Sequence, residues 1–588
     1  MTSVAPEAYR FGPFLLEVRE RRLWRSGDRI QLTPRALDTL LLLVSRGGSL
    51  VPREELLASV WIDTVVEESN LTHTVWLLRS ALGDGFIETV PKTGYRFVAA
   101  VEEVAPAGRE SEPGPVSGLG PVAALPRSLA VLPLKALSTF EHDTELCQGV
   151  ADLLITRLST LPDLVVRPLR AVLAAASDDD PLVIARAVGA EAVVDASLQR
   201  KGARVRVNAR LLRVDDGSSL VAETFDADWG DLFAVQDRLA ARIADALAPR
   251  LDPKIRARLV GRTTRDSLAM ELYLQGRFNW ERRTTEALER ALDFYRRALE
   301  RDPYFALAWA AKGDAYGILP MTSDRRPLDC LASARRAIRK SLDIDSDLAE
   351  AHSAAGMVAF WLEWDWAAAE KSLLRALDAS PSLVQARLFH AHLMSNLGRH
   401  DEACTEIDRA CAIDPSSPVL NALKGMMLVH ARRFEAALKQ FDSTLAGAPD
   451  NWIARLNRGK LLLALERYDD AESDLQRALE LSAGSAQALS MLTVVAARRG
   501  NVGEARRRLE SLEARTAERW IPPTDLVLAR AACGVHDATL GLDLAVAERD
   551  PRLTFLGVDP KWDTLARDPR VVRLRRELGL PGAAESPS

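Results

Sequence analysis

Cysteine is scarce in this chain and is nowhere arranged in pairs. The five cysteines lie far apart, without a CxxC spacing, at Cys147, Cys330, Cys404, Cys411 and Cys533. An odd, scattered set argues against a disulfide framework and is typical of reduced thiols. No apolar stretch approaches the roughly 18–20 residues that cross a bilayer, and the start, MTSVAPEAYRFG, lacks the basic end and apolar core of a signal peptide. We therefore expect a cytoplasmic protein.

Sequence motifs that carry chemistry are missing too. There is no GxxxxGK[ST] phosphate loop, no nucleophile elbow and no metal-binding carboxylate pair in a suitable context. His390, His392, His400 and Cys404 fall across one predicted helix pair, but their spacing matches no familiar zinc site. The sequence therefore predicts no catalytic residues, no cofactor and no metal site.

The chain does contain enough apolar material for several cores. It has 588 residues, of which 47% are hydrophobic and 27% charged, with a net charge of −5. This composition is that of a globular protein, and the length predicts about three or four domains.

The stretch from Glu67 to Phe97 is the most informative part of the chain. It reads EESNLTHTVWLLRSALGDGFIETVPKTGYRF. The helical spacing of its apolar residues predicts one buried stripe, formed by Leu71, Val75, Leu78 and Leu82. Polar side chains are left for the other faces, and a hairpin with Pro-Lys-Thr-Gly at its turn follows. A helix with polar faces next to a hairpin with a basic tip indicates a winged helix.

The residues before this stretch strengthen that interpretation. Residues 9–32 alternate around a Ser-Gly-Asp turn, which predicts a strand, a turn and a strand. Helices are predicted from Pro34 to the Gly47-Gly48 stop and over residues 52–61. The predicted order is a sheet, three helices and a terminal hairpin.

Several short motifs in this region match a known family. They are Leu32-Thr33-Pro34, Arg53-Glu54-Glu55-Leu56 with Trp61, Leu78-Arg79-x-Ala81-Leu82-Gly83, Ile87-Glu88-Thr89-Val90 and Gly94-Tyr95-Arg96-Phe97. On these motifs, residues 9–98 resemble the winged-helix DNA-binding domain of the OmpR/PhoB class, which also occurs in CadC- and ToxR-type regulators. The resemblance implies a third helix in the major groove and a hairpin tip, the wing, in a neighbouring minor groove. It assigns ten DNA-contacting residues: Ser69, Asn70, Thr72, His73, Trp76, Arg79, Thr89, Lys92, Thr93 and Tyr95.

The charge of this region departs from the family pattern. Residues 1–104 contain 12 Lys and Arg against 14 Asp and Glu, a difference of −2. Because phosphate neutralisation supplies most non-specific affinity, one such domain should bind DNA weakly. Two copies on repeated half-sites, as in a homodimer, would compensate. Trp76 is compatible with a core position as well as with a DNA contact.

Residues 105–126 are rich in Pro and Gly and predict a flexible linker. Residues 127–250 then alternate strands and helices, which predicts an α/β domain. The motifs Ala130-Val-Leu-Pro-Leu134, Gly149-Val-Ala-Asp-Leu-Leu154 and Asp231-Leu-Phe-Ala-Val-Gln-Asp237 resemble a TolB-like module. In a CadC- or ToxR-type protein a membrane helix would follow the linker, and this sequence has none there.

Residues 266–514 are helical and repetitive. Pro381, Pro415 and Pro449 are 34 residues apart, the period of tetratricopeptide repeats. Each tetratricopeptide repeat is a pair of helices, and the pairs stack into a superhelix with a concave surface that can bind a protein or peptide ligand. We expect residues 515–588 to form a helical cap and tail.

The predicted fold class is a multidomain chain: a winged helix-turn-helix of α+β type (1–104), an α/β TolB-like domain (127–250) and an all-α tetratricopeptide superhelix. We interpret it as a transcription regulator that binds double-stranded promoter DNA and receives a protein or peptide signal through its repeats. Within the class, activation by contact with RNA polymerase is common, but the residues leave the direction of regulation open. A repeat scaffold or adaptor with little DNA binding is the alternative, favoured by the acidic balance of the first 104 residues.

Overall fold

A computed structural model describes residues 8–18, 22–25, 28–30, 32, 34–60, 68–82, 85–90, 93–104, 125–137, 143–161, 164–175, 180–202, 204–228, 232–247, 264, 266–322 and 325–582. The chain divides into two compact units, Met1–Val122 and Ala123–Ser588. The predicted linker at residues 105–126 lies almost wholly outside the described residues.

The first unit combines two small antiparallel sheets with three helices. One sheet has the strand order β4-β3-β2-β1-β8 and the other the order β5-β7-β6. The elements are β1 (Ala8–Phe11), β2 (Phe14–Glu17), β3 (Arg22–Arg25), β4 (Asp28–Ile30), α1 (Pro34–Ser45), β5 (Leu50–Pro52), α2 (Arg53–Val60), α3 (Glu68–Leu82), β6 (Ile87–Val90), β7 (Gly94–Phe97) and β8 (Glu102–Val104).

The amino-terminal sheet has more strands than we predicted. Residues 9–32 form four short strands instead of two. One cause is Gly12, whose φ of +51° reverses the chain between β1 and β2. The predicted order of sheet, three helices and hairpin is confirmed, although β5 and β8 were not predicted. The Phe11, Phe14 and Phe97 rings pack together in one core.

The second unit begins with a mixed sheet in the order β11-β9-β12-β13-β14, with β10 paired to β12. Strands β11, β9 and β12 run parallel, whereas β12, β13 and β14 are antiparallel. The elements are β9 (Ser128–Val131), β10 (Lys135–Ala136), α4 (Asp143–Leu158), β11 (Val165–Val166), α5 (Leu169–Ala175), α6 (Pro181–Ala187), β12 (Ala192–Lys201), β13 (Arg204–Arg213), β14 (Ser219–Asp228) and α7 (Leu232–Leu247).

Seven helix pairs follow the mixed sheet and form the repeat array. The pairs are α8 (Ser267–Trp280) with α9 (Thr285–Arg301), α10 (Ala306–Thr322) with α11 (Pro327–Ile344), α12 (Ala349–Val358) with α13 (Trp366–Ala379), α14 (Val384–Asn396) with α15 (His400–Ile413), α16 (Pro418–His430) with α17 (Phe434–Gly447), α18 (Trp452–Ala464) with α19 (Tyr468–Leu481), and α20 (Ala486–Arg498) with α21 (Val502–Ala514). A π-helical turn, Ala359–Glu363, extends α12.

The mixed sheet docks on the turns between helix pairs. The Ser380 hydroxyl donates to the Ser159 carbonyl over 3.1 Å, and the Ser382 hydroxyl donates to the Leu164 carbonyl over 2.9 Å. Arg170 pairs with the buried carboxylate of Asp414. These contacts make the sheet and the array one packed body within the second unit.

The carboxyl-terminal residues do not simply extend the stack. After α22 (Pro523–Ala532) and α23 (Gly541–Ala547), the chain turns back along the array. We call residues 551–580 the return segment; it contains the 3-10 turns Pro551–Phe555 and Pro560–Leu565 and the helix α24 (Pro569–Glu577). Trp562 of this segment is 2% exposed and shares a core cluster with Leu475 of α19. The part of the chain that we expected to form a helical cap and tail thus includes a segment that folds back on the array.

Among the described residues, none of the helices has both the length and the apolar character required to cross a membrane.

Because the helices of a pair pack closely, two glycines of the array should differ in how well they tolerate an added side chain. A Cβ on Gly425 would lie 2.4 Å from Cε1 of Phe441. We expect Gly425→Ala to destabilise the array by about 1–3 kcal/mol through overpacking. Gly447→Ala is the control, because a Cβ there has no neighbour within 4 Å. Circular dichroism melting should show a lower midpoint for the first variant alone, and equal midpoints would contradict the described packing.

Candidate DNA interface and the groove of the repeat array

The core side of α3 carries the predicted apolar stripe. Leu71, Val75 and Leu78 are at most 1% exposed, and Leu82 is 5% exposed. They pack in the same cluster as residues of α1 and β7. The stripe prediction is confirmed, and burial of this side fixes which faces of α3 remain available to a ligand.

Arg79 joins α3 to the hairpin of β6 and β7. Its Nε and Nη2 donate to the Ile87 carbonyl over 3.2 and 2.8 Å, and Nη2 also donates to Oγ1 of Thr89 over 2.7 Å. A planar guanidinium can make such a forked contact, whereas an ammonium group cannot. Arg79 therefore sets the distance between the helix and the wing.

A close approach of two strands holds the base of the hairpin. A Cβ on Gly94 would lie 2.1 Å from the Val51 carbonyl oxygen, so this position of β7 requires glycine. The backbone N–H of Arg53 donates to the Thr93 carbonyl over 3.1 Å. The wing is thus anchored to the strand that precedes α2.

Apart from Arg79, which is half-buried, the predicted contact residues divide into three groups. Thr72, Thr89 and Thr93 are exposed on α3 and the hairpin. Tyr95 is only 3% exposed and lies in the core cluster, so its assignment to the DNA-facing wing is corrected. Lys92, and the side chains of Ser69, Asn70, His73 and Trp76, lie outside the described residues.

Two described arginines of this unit pair with carboxylates. Arg46 pairs with Glu55 at 2.5 Å, and Arg96 lies 3.5 Å from Glu88 across the hairpin. Neighbouring carboxylates neutralise part of the positive field that would attract phosphates. This local geometry agrees with the acidic balance of the region.

The second candidate surface is the inner side of the repeat array. We define the groove as the surface formed where the first helices of pairs two to six end, at Pro320, Trp361, His392, His430 and Lys460. The return segment lies on it, as residue contacts along its length show. Arg552 donates to the Pro320 carbonyl over 3.3 Å, Asn396 donates to Thr554 over 3.1 Å, Lys460 pairs with Asp559 at 2.7 Å, and Trp366 donates to the Leu578 carbonyl over 2.7 Å.

Along this stretch the groove is therefore covered by the chain itself. Burial opposes ionisation of Asp559, but the Lys460 and Lys561 ammonium groups outweigh it and hold its pKa well below the usual value. The Phe555 ring lies 6.3 Å from the His392 ring and 5.7 Å from the His430 ring. Burial lowers the pKa of His392 to about 4, so this ring is neutral at pH 7.

Within the described part of the chain, no three His, Cys, Asp or Glu side chains gather as a metal site would require. His390, His392, His400 and Cys404 belong to one helix pair, α14 and α15. His390 and His392 lie in the array interior, and neither ring makes a hydrogen bond to another described residue.

Comparison with known proteins supports two of the three resemblances. The family described as "Transcriptional regulatory protein, C terminal" matches residues 27–97, and the family "Tetratricopeptide repeat" matches residues 423–486. The first unit thus carries an OmpR/PhoB-type winged-helix domain and the second carries tetratricopeptide repeats. The TolB-like resemblance of the mixed sheet stays a prediction.

Three curated proteins show the range of relatives. "Transcriptional regulator HilA" of Salmonella typhimurium is 21% identical over 422 residues, which cover 70% of this chain and 72% of that protein. "Putative adenylate cyclase 3" of Rhizobium meliloti is 26% identical over 284 residues, covering 46% of this chain and 48% of the cyclase. "Transcriptional activator CadC" of Escherichia coli is 31% identical over 98 residues, 16% of this chain and 19% of CadC. The chain thus spans about half of the cyclase and a fifth of CadC.

The forked contact of Arg79 predicts a local loss of stability. We expect Arg79→Met to free the Ile87 carbonyl and weaken the hairpin by about 1–2 kcal/mol, since hydrogen bonds from charged donors are the stronger ones. Hydrogen exchange of residues 85–97 should then become about tenfold faster. Arg46→Met is the control, because its ion pair with Glu55 is largely exposed. Unchanged exchange in Arg79→Met would mean that the contact does not hold the wing.

Burial of His392 predicts a loss of stability in acid. The unfolded chain binds a proton near pH 6.5, whereas the folded ring does so only near pH 4. The folded state is therefore penalised as pH falls from about 6.5 to about 4, by about 2 kcal/mol at pH 5. His392→Met should remove that part of the difference between melting curves at pH 7 and pH 5. The exposed His536→Met is the control, and an identical pH dependence in both variants would contradict a buried neutral His392.

Proposed function

We propose that this chain is a DNA-binding transcription regulator whose winged helix binds promoter DNA and whose repeat region receives a protein signal. The observation that carries the proposal is the match of residues 27–97 to the transcriptional regulatory domain. The relatives named as transcription regulators support it, because one of them matches over 70% of this chain.

In the proposed complex, α3 enters the major groove and the tip of the β6–β7 hairpin reaches a neighbouring minor groove. Major-groove base edges present the pattern that polar side chains can read. The contact set is Ser69, Asn70, Thr72, His73, Trp76, Arg79, Thr89, Lys92 and Thr93, without the buried Tyr95. Arg79 would act in two ways, since its contacts with Ile87 and Thr89 also position the wing.

A single winged helix of this charge should hold DNA weakly. The internal pairing of Arg46 and Arg96 reduces the positive charge available for phosphates. A pair of linked copies on neighbouring half-sites would bind more tightly than one copy, because the first contact raises the effective concentration of the second winged helix at its half-site. We infer that the active form presents two winged helices, and that regulation changes how they are presented.

The remaining parts would serve recognition of the signal. We infer a division into residues 1–104, the linker 105–126, a TolB-like domain at 127–250, repeats at 266–514 and a terminal part at 515–588. The contacts of Ser159, Leu164 and Arg170 with the array favour a sheet that works as part of the same rigid body. RNA polymerase is the proposed target if the regulator activates.

The acidic balance of residues 1–104 favours a second candidate, a repeat adaptor that binds little DNA. The relative named as an adenylate cyclase shows that a large part of such a chain can accompany a different activity. Duplex binding separates the two candidates.

We expect the full chain to bind its promoter duplex with an affinity that falls at least tenfold between about 50 mM and about 200 mM salt. Lys92→Ala should weaken binding uniformly across sequences and lower the salt slope by about 1. Arg79→Ala should weaken it further, because the wing loses its link to α3. Genomic footprinting supplies the sites, and titration by fluorescence anisotropy measures them.

Two further chains complete the test. Lys201→Ala, at the exposed end of β12 in the second unit, is the charge-matched control and should bind like wild type. Residues 1–122, which form a compact unit, should keep the footprint of one half-site with lower affinity. Absence of duplex binding at low salt, or insensitivity to both substitutions, would favour the adaptor.

A further inference from the structure

The return segment has features of a ligand that the repeat array carries within its own chain. Three Asp-Pro pairs, with their prolines at Pro551, Pro560 and Pro569, are spaced nine residues apart. Each aspartate caps the turn that follows: Asp550 accepts from the Arg552 N–H, Asp559 from the Lys561 N–H and Asp568 from the Arg570 N–H. The segment thus shapes its backbone largely with its own residues, which lowers the entropy lost on docking.

Charge complementarity holds the return segment in the groove. The Lys460 side chain is 9% exposed and the Asp559 side chain 3% exposed, and the Lys460 Nζ lies 2.7 Å from the Asp559 Oδ2. Further out, Arg432 holds both carboxylate oxygens of Asp563 at 2.7 and 2.8 Å. A buried pair of this kind selects its partner strongly, since either charge alone would be left buried and uncompensated.

Several buried polar groups of the groove lack hydrogen-bond partners, in contrast to the paired Lys460 and Asp559. His392 is buried, yet neither ring nitrogen has a hydrogen-bond partner among the described residues, and Phe555 of the return segment packs over it. The Trp361 Nε1 and the Asn396 Oδ1 are likewise buried without a partner there. Buried polar groups of this kind carry an uncompensated desolvation cost. The return segment therefore fits the groove by charge and shape but leaves polar groups that another occupant could bind.

We propose that the groove is a peptide-binding surface whose resident occupant is the return segment, and that the external ligand is a partner segment of the same pattern. That pattern is an aromatic residue followed four positions later by Asp-Pro, a basic residue and a second aromatic, as in Phe555 to Trp562. A partner that adds hydrogen bonds to Trp361, His392 or Asn396 would compete with the resident segment. This inference rests on the proposed function, because it names the class of signal that the repeats receive.

The test uses the full chain with a protease site inserted in the exposed turn at residues 534–537. After cleavage, the fragment from residue 538 onward should stay bound in gel filtration and should exchange with a labelled copy of itself over hours. A competing copy carrying Asp559→Asn should bind about 100-fold more weakly, because it leaves Lys460 uncompensated. Arg432→Gln in the array should speed exchange several-fold. Arg433→Gln is the control and should not, since Arg433 pairs with Asp401 outside the segment.

A second arm tests the pattern itself. A synthetic peptide of residues 552–563 should displace the labelled fragment, and a scrambled peptide should not. Collapse of the circular dichroism signal on cleavage, or an intact array that never exchanges, would show that the segment is core and overturn the proposal. Exchange by the long copy without displacement by the short peptide would overturn the recognition pattern. Duplex binding is measured on the same uncleaved protein, so loss of DNA binding with normal exchange counts against the proposed function alone.

Discussion

Helix pairs in a repeat array bury apolar surface mainly against their neighbours, and in this chain part of the inner surface is buried as well. Here the cover is the return segment, and the buried pair of Lys460 and Asp559 fixes its register on the groove. Because an isolated buried charge is costly, this pair specifies position more than it adds stability. Trp562 and Leu553, both almost fully buried, supply the apolar area around it. The second unit is consequently a filled superhelix along this stretch, with the mixed sheet on the turns at Ser380 and Ser382.

The winged-helix unit follows a different physical logic. Its α3 is oriented by a fully apolar stripe, and its wing is held by one guanidinium, that of Arg79, and by one close strand approach at Gly94. Two described arginines, Arg46 and Arg96, have carboxylate partners, which reduces the positive charge available to phosphates. In the proposed complex, such a domain would depend on shape for its specificity and on a second copy for its affinity. On that proposal, regulation acts through the pairing of two winged helices rather than through the charge of a single winged helix.

Prediction from the sequence succeeded where the signal is local and periodic. The stripe from Leu71 to Leu82, the 34-residue spacing of prolines and the hairpin strands were all recognisable, because helical and strand periods act within a few residues. Tyr95 was misassigned although a signal existed: strand alternation puts it on the same face as the core residue Phe97. The return segment also carries a nine-residue spacing of Asp-Pro pairs, a signal that the sequence analysis missed. Its docking on the groove could not be predicted, since contacts such as Asn396 with Thr554 join residues 158 positions apart and leave no periodic trace.

The two surfaces lead to one functional argument. If the groove were open, any extended peptide of suitable charge could enter it, and the array would discriminate poorly. The resident return segment raises the affinity that a competing ligand needs. Such a ligand has to replace the Asp559 carboxylate as well as the apolar contacts of Phe555 and Trp562. Only a ligand that also uses the unpaired polar groups of Trp361, His392 and Asn396 gains over the resident segment. Specificity then arises from the difference in binding free energy between the return segment and the competing ligand. A change in either of them alters that difference.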